Sequence, residues 1–126
     1  MRDNAVLLEA GSRKDAMKLP NQQLAAVPRE KVVDYLLSTT HRDGRHKAAF
    51  FNAFGFTIKN WQDLQMALVR HAADHEVAEV EASPFGTRYV VEGIMAMADG
   101  RNALVRTIWF IETGTDMPRF VTAYPL

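Results

Sequence analysis

The spacing of apolar residues changes period once along the chain: a helical repeat holds from about residue 28 to residue 75, and a strand-like alternation follows to the end. Pro28 suits the first position of a helix, where its missing N–H is not needed, and Val32, Tyr35 and Leu36 follow at helical spacing. That helix should stop near Leu37, before Ser38-Thr39-Thr40. A second begins at Gly44 or Arg45, with Lys47, Phe50, Phe51 and Phe54 on one face and Gly55 as a left-handed terminator. A third has Asn60 as its N-cap with Asp63 three residues on, a weak capping box. Its buried stripe is Trp61, Leu64, Leu68 and Ala72.

The strand-like half starts with Glu76 to Glu81, which alternates only partly, as an edge strand does. Pro84-Phe85-Gly86 marks a turn, Thr87 to Gly93 a strand, and Asp99-Gly100 a hairpin. Leu104 to Ile111 is apolar on both faces and reads as central. Gly114 marks the next turn, and Arg119 to Leu126 the last strand. The fold class expected is α+β, with three N-terminal helices near residues 28–37, 44–54 and 60–74 ahead of a four-stranded antiparallel β-meander. Residues 1–18 show no sustained period and read as a flexible N-terminal arm, leaving 19–126 as a single domain.

Composition narrows the function. The 126 residues hold no cysteine, which removes disulfides and thiolate metal sites. No apolar run approaches the length of a membrane span. The short apolar run Ala5 to Leu8 lacks a signal peptide's core, so the expected location is cytoplasmic. With 15 basic and 15 acidic residues the charge balances, whereas a broad nucleic-acid face carries a positive excess. Any polyanion site must therefore be local. One such patch exists: His41, Arg42, Arg45, His46 and Lys47, opposed only by Asp43. Its alternative reading is a solvated loop and helix start.

Arg106 shares a strand face with Leu104, Ile108 and Phe110. An arginine there must either reach a polar cleft or be paired, with Glu92 or Glu112 the available carboxylates. Phe120, Thr122 and Tyr124 share a face of the last strand, where the alternative is a core phenylalanine beside satisfied hydroxyls. Together these groups fit metal-independent RNA cleavage, which needs a base for the ribose 2′-OH, an acid for the 5′-oxygen and cations on the phosphorane. His41 or His46 would be base or acid, Lys47 and Arg106 the cations, and Tyr124 a phosphate-positioning or proton-donating group. Arg45, Arg88 and Thr122 would bind substrate. His71 and His75, four apart, have a spacing that can hold a metal, or can form a favourable cationic helix end. No HExxH, P-loop, G-x-G-x-x-G or G-x-S-x-G motif occurs, and neither a cofactor nor a metal is expected.

From Leu19 to Leu126 the chain resembles an uncharacterised family of small bacterial, notably cyanobacterial, proteins. The resemblance rests on Leu19-Pro20-Asn21, Asp34-Tyr35-Leu36-Leu37-Ser38, Gly44-Arg45-His46-Lys47-Ala48-Ala49-Phe50-Phe51 and Gly55-Phe56. It continues in Pro84-Phe85-Gly86-Thr87-Arg88-Tyr89, in Val105-Arg106-Thr107-Ile108-Trp109-Phe110-Ile111, and in Pro118-Arg119-Phe120-Val121-Thr122-Ala123-Tyr124-Pro125-Leu126. Related domains look like toxin tips of polymorphic and contact-dependent secretion systems, grouped with the barnase–EndoU–colicin–RelE ribonuclease-like fold. Stand-alone members are similar to toxins encoded beside a small antitoxin. The family commonly has His-Pro where this chain has His41-Arg42, a departure that bears on His41.

The resemblance implies a toxin-type RNA endonuclease of a toxin–antitoxin pair, acting without metal on RNA and held by a small antitoxin protein. An alternative is a catalytically silent binding domain on the same fold. A weaker one is an ADP-ribosyl-protein hydrolase, the activity attached to some members, although no paired-aspartate metal site is visible here. Clustering separates the first two: a nuclease should gather Lys47, Arg88 and Arg106 around one cleft, and a silent domain should scatter them or pair them with carboxylates.

Overall fold

The computed structural model describes residues 17–126, and in it the helical part is less regular than the apolar spacing suggests. A 3-10 turn, Gln22–Leu24, comes first. Helix α1, Arg29–Lys31, begins after Pro28 and passes directly into a π-helical turn, Val32–Leu36. Helix α2 is Arg45–Ala53, and a second 3-10 turn, Ile58–Asn60, leads into α3, Trp61–Asp74.

The expected trio of N-terminal helices is therefore corrected. The helices lie mid-chain, between Arg29 and Asp74, and the first is a single α turn continued in π geometry. The arm expected over residues 1–18 lies, through residue 16, outside the described residues. The π register has a packing cause. Leu37 N–H donates to the Val32 carbonyl, five residues back, at 2.8 Å. This wider turn brings Leu37 onto the buried side with Val32 and Leu36. Asn60 does not cap α3 as expected; its Oδ1 accepts from Thr57 N–H at 2.6 Å, fixing the preceding turn instead.

The sheet is four-stranded and antiparallel, in the order β1 (Val77–Ser83), β2 (Gly86–Ala96), β3 (Asn102–Glu112), β4 (Arg119–Pro125). A parallel bridge was not expected, yet Ala26 pairs in parallel with Arg119 just outside the helices. Ala26 N–H donates to Pro118 O at 2.9 Å, and Phe120 N–H to Ala26 O at 3.0 Å.

Alternation along the strands gives the sheet two different faces. One carries Val91 and Met95 from β2, Val105, Thr107 and Trp109 from β3, and Phe120 and Ala123 from β4, all buried. Leu64, Leu68 and Ala72 of α3 belong to the same core, as does Phe51 of α2. Within it lies a satisfied polar chain. Trp109 Nε1–H donates to Thr107 Oγ1 at 2.9 Å, Thr107 meets His71 Nδ1 at 3.1 Å, and His71 Nε2 reaches the carbonyls of Val105 (3.0 Å) and Gly93 (3.1 Å). Two carbonyl acceptors place the imidazole proton on Nε2, so the Thr107 hydroxyl donates to Nδ1.

His71 is thus neither a metal ligand nor a cationic helix end. Both its nitrogens are engaged, it is 2% exposed, and burial, with the nearby His75, holds its pKa below the ordinary 6.5 against the opposing pull of its carbonyl partners. His75 donates from Nε2 to Ile94 O at 2.7 Å. The other sheet face carries Arg88, Val90, Glu92 and Ile94, then Leu104, Arg106, Ile108 and Phe110, then Thr122 and Tyr124. Among the described residues no helix is long and apolar enough to cross a membrane.

Candidate functional site on the outer sheet face

Register alone brings three polar side chains into one row. Glu92 of β2 lies opposite Arg106 of β3, and Arg106 opposite Tyr124 of β4. Side chains directly opposite on one face are neighbours, and the row closes by contact. Arg106 Nε donates to Glu92 Oε2 at 2.7 Å, its Nη2 pairs with the same oxygen, and its Nη1 donates to Tyr124 Oη at 3.2 Å. The hydrogen bonds with Tyr124 and Glu92 push the Arg106 pKa further up, so it is a permanent cation. The Arg106 and Glu92 side chains are each 30% exposed. Arg106 is therefore both paired and open to solvent, which neither of its two sequence readings described alone. Glu112 is not its partner; that residue lies at the far end of β3 opposite Gly86.

The helical elements bring a second cation to this row. A bulge in the β3–β4 ladder, after the Ile108–Thr122 pair, leaves Val121 beside Phe120 and sets Thr122 and Tyr124 on the outer face. Tyr35, in the π turn, bonds Thr122 hydroxyl to hydroxyl at 2.9 Å, and Lys31 Nζ donates to Val121 O at 3.1 Å. These contacts tie the first helix to the β4 edge.

Helix α2 then starts against Tyr35 itself. A Cβ on Gly44 would stand 2.1 Å from the Tyr35 carbonyl oxygen, so only glycine permits this approach. One turn further on, Lys47 holds Nζ 5.5 Å from the Tyr35 ring centroid and 6.0 Å from that of Tyr124, within cation–π reach. Lys47, Tyr124, Arg106 and Thr122 are thus brought together, with Tyr35 and Glu92 completing the cluster.

The remaining predicted residues stand apart from it. His41 uses Nδ1 to accept the backbone N–H groups of Asp43 (2.9 Å) and Gly44 (3.0 Å) just ahead of α2. Its ring also meets Tyr35 edge-on at 5.0 Å. An imidazole used this way fastens the turn, and that lone pair is unavailable to a substrate proton. Arg45 folds back onto Arg42 O at 2.7 Å, and His46 is exposed on α2. Arg88 lies four residues along β2 from Glu92 and pairs with Glu81 of β1 at 3.6 Å. An open groove of about 930 Å³ between the π turn and the Ile58–Asn60 turn includes only His41 of the predicted residues. Among the described residues, no three His, Asp or Glu side chains are grouped to hold a metal.

Sequence reading missed Tyr35 and Glu92 as site residues. Tyr35 was assigned to a helix's apolar spacing, and its signal was the hydroxyl that apolar spacing does not require. Glu92 was weighed only as an ion-pair partner.

The fold is that of an antiparallel meander backed by α3 on one face, with the polar cluster on the other. It is shared, at a TM-score of 0.62 and 14% identity, with a chain of a contact-dependent growth inhibition toxin–immunity protein complex from Klebsiella pneumoniae 342; the match covers 79% of this chain and 98% of that one. The chain belongs to the DUF6883 family, a domain of unknown function, which matches residues 18–126. No curated protein matches it.

Proposed function

We propose that the protein is a toxin-type RNA endonuclease that works without a metal and is restrained by a small protein partner. The observation that carries the reading is the convergence of Lys47 and Arg106 on Tyr124, on the sheet face opposite the α3 core. Two cations set around a phenol suit a phosphodiester whose charge grows in the transition state. Thr122 and Tyr35 hold that arrangement at the β4 edge. The shared fold with a chain of a toxin–immunity complex supports both a toxin-like role and a small protein partner.

Expression of the chain alone in bacteria tests this, with growth and RNA integrity followed together. The wild type should arrest growth and degrade RNA. Lys47→Met should do neither, while losing less than ~1.5 kcal/mol of stability because the apolar stem is kept. Toxicity retained by a folded Lys47→Met protein would take Lys47 out of the site.

The second reading, a binding domain without catalysis on the same fold, also has an observation in its favour. Both Arg88 and Arg106 have carboxylate partners, Glu81 and Glu92. Under that reading the wild-type chain leaves cellular RNA intact.

A further inference from the structure

We infer that Glu92 is the general base of the site, facing Tyr124 as general acid across Arg106. The inference rests on the nuclease reading above and supplies the base that reading lacks. His41 has its Nδ1 lone pair committed to two backbone donors. His46 makes no contact with the row among the described hydrogen bonds and rings, and is exposed on α2.

Glu92 is placed for the task by register. It stands opposite Arg106, which stands opposite Tyr124, so carboxylate, guanidinium and phenol occupy three adjacent strands at one level. Adjacent strands are about 4.8 Å apart, which separates base and acid backbones by ~10 Å with the cation between them. In-line displacement at phosphorus requires such an arrangement, because the attacking and leaving oxygens lie on opposite sides of the phosphorane.

The hydrogen bonds leave the reacting atoms usable. Arg106 directs both its Nε and its Nη2 to Glu92 Oε2, and Oε1 takes no hydrogen bond from the described residues. At the other end Tyr124 Oη accepts from Arg106 Nη1, so its own hydrogen is left to donate. The β1–β2 ladder ends at Val77–Val91, so among the described residues no strand pairs with β2 beside Glu92 on that flank.

The step balances without a co-reactant. Glu92 takes the proton of the ribose 2′-OH, and the 2′-oxygen forms a bond to phosphorus. The bond from phosphorus to the 5′-oxygen breaks, its electron pair stays on that oxygen, and the Tyr124 phenol protonates it. The products are a 2′,3′-cyclic phosphate and a 5′-hydroxyl. Solvent returns the proton from Glu92 to the Tyr124 phenolate. Arg106 lies over the non-bridging oxygens throughout, and a substrate without a 2′-OH cannot react.

Glu92→Gln tests the assignment, because glutamine still offers an oxygen to Arg106 but cannot take a proton. Two quantities are measured on purified wild type and variant: cleavage of an unmodified RNA, and affinity for the same RNA with 2′-O-methyl groups throughout. A general base predicts cleavage down 10²–10⁴-fold, with affinity held or raised by loss of the negative charge. Cleavage within a few-fold of wild type would overturn the assignment and leave the nuclease reading standing. A parallel loss of cleavage and affinity would make Glu92 a positioning residue for Arg106, which also overturns it. A wild type that cleaves no RNA would remove the nuclease reading itself, and Glu92's role with it.

Discussion

Arg106 shows how one side chain can satisfy two demands. In the middle of a central strand it needs a counter-charge, and Glu92 provides one at the same register level. Because both side chains are 30% exposed, water still reaches them and the pair is not sealed in the core. A half-buried pair still reached by water contributes modestly to stability, and under the proposed nuclease reading its role lies in binding or chemistry. Arg106→Gln should therefore keep a melting temperature close to wild type and lose RNA cleavage, since glutamine fills space without offering charge to phosphate. A large drop in melting temperature would instead mark a structural pair, and intact cleavage would exclude Arg106 from the site. Lys47 and Tyr124 were readable as candidates from residue type. Tyr35 was not, because the apolar spacing that placed it in a helix says nothing of a hydroxyl reaching Thr122 on a strand 87 residues away.

At the scale of elements, the strands were readable and the first helix was not. Strand residues alternate by a local rule, and turns such as Pro84-Phe85-Gly86 carry their own chemistry. Both signals sit in the sequence, and the sheet they describe is present in the order β1-β2-β3-β4. The π turn at Val32–Leu36 has no comparable signal. It is selected by packing, since three buried side chains must share a face. The Ala26–Arg119 bridge is likewise invisible locally, joining residues 93 positions apart. His71 was misread for a related reason, its partners Thr107, Gly93 and Val105 all lying on strands. That buried imidazole gives a pH prediction. Its folded-state pKa is lowered from 6.5, so the unfolded chain binds the extra proton. The stability is fully present above about pH 6.5 and is lost as pH falls toward the folded-state value, by up to ~1.4 kcal/mol per pH unit. Urea midpoints measured between pH 5 and 7.5 should fall more steeply for wild type than for His71→Gln. Equal slopes would mean that His71 is not held neutral in the core.

Over the whole molecule, 15 basic residues are balanced by 15 acidic ones, so attraction for a polyanion has to be local. The fold supplies that locality by laying α1, the π turn and α2 along the β4 edge, which sets Lys31 and Lys47 beside Tyr35 and Lys47 beside Tyr124. Arg88 and its Glu81 stand further along the sheet and Arg45 folds back onto Arg42, so of the predicted cations only Lys47 and Arg106 share the cluster, and they form no continuous basic face. The surface bearing the cluster is also the one a restraining partner would have to cover. The central claim, that this face cleaves RNA through its own side chains, is tested most directly by incubating the purified chain with total RNA in excess EDTA and identifying the new ends. The account predicts fragments ending in 2′,3′-cyclic phosphate and 5′-hydroxyl, with 2′-O-methyl RNA left uncut. RNA left intact by the folded protein, or cleavage that also severs 2′-O-methyl RNA, would contradict it.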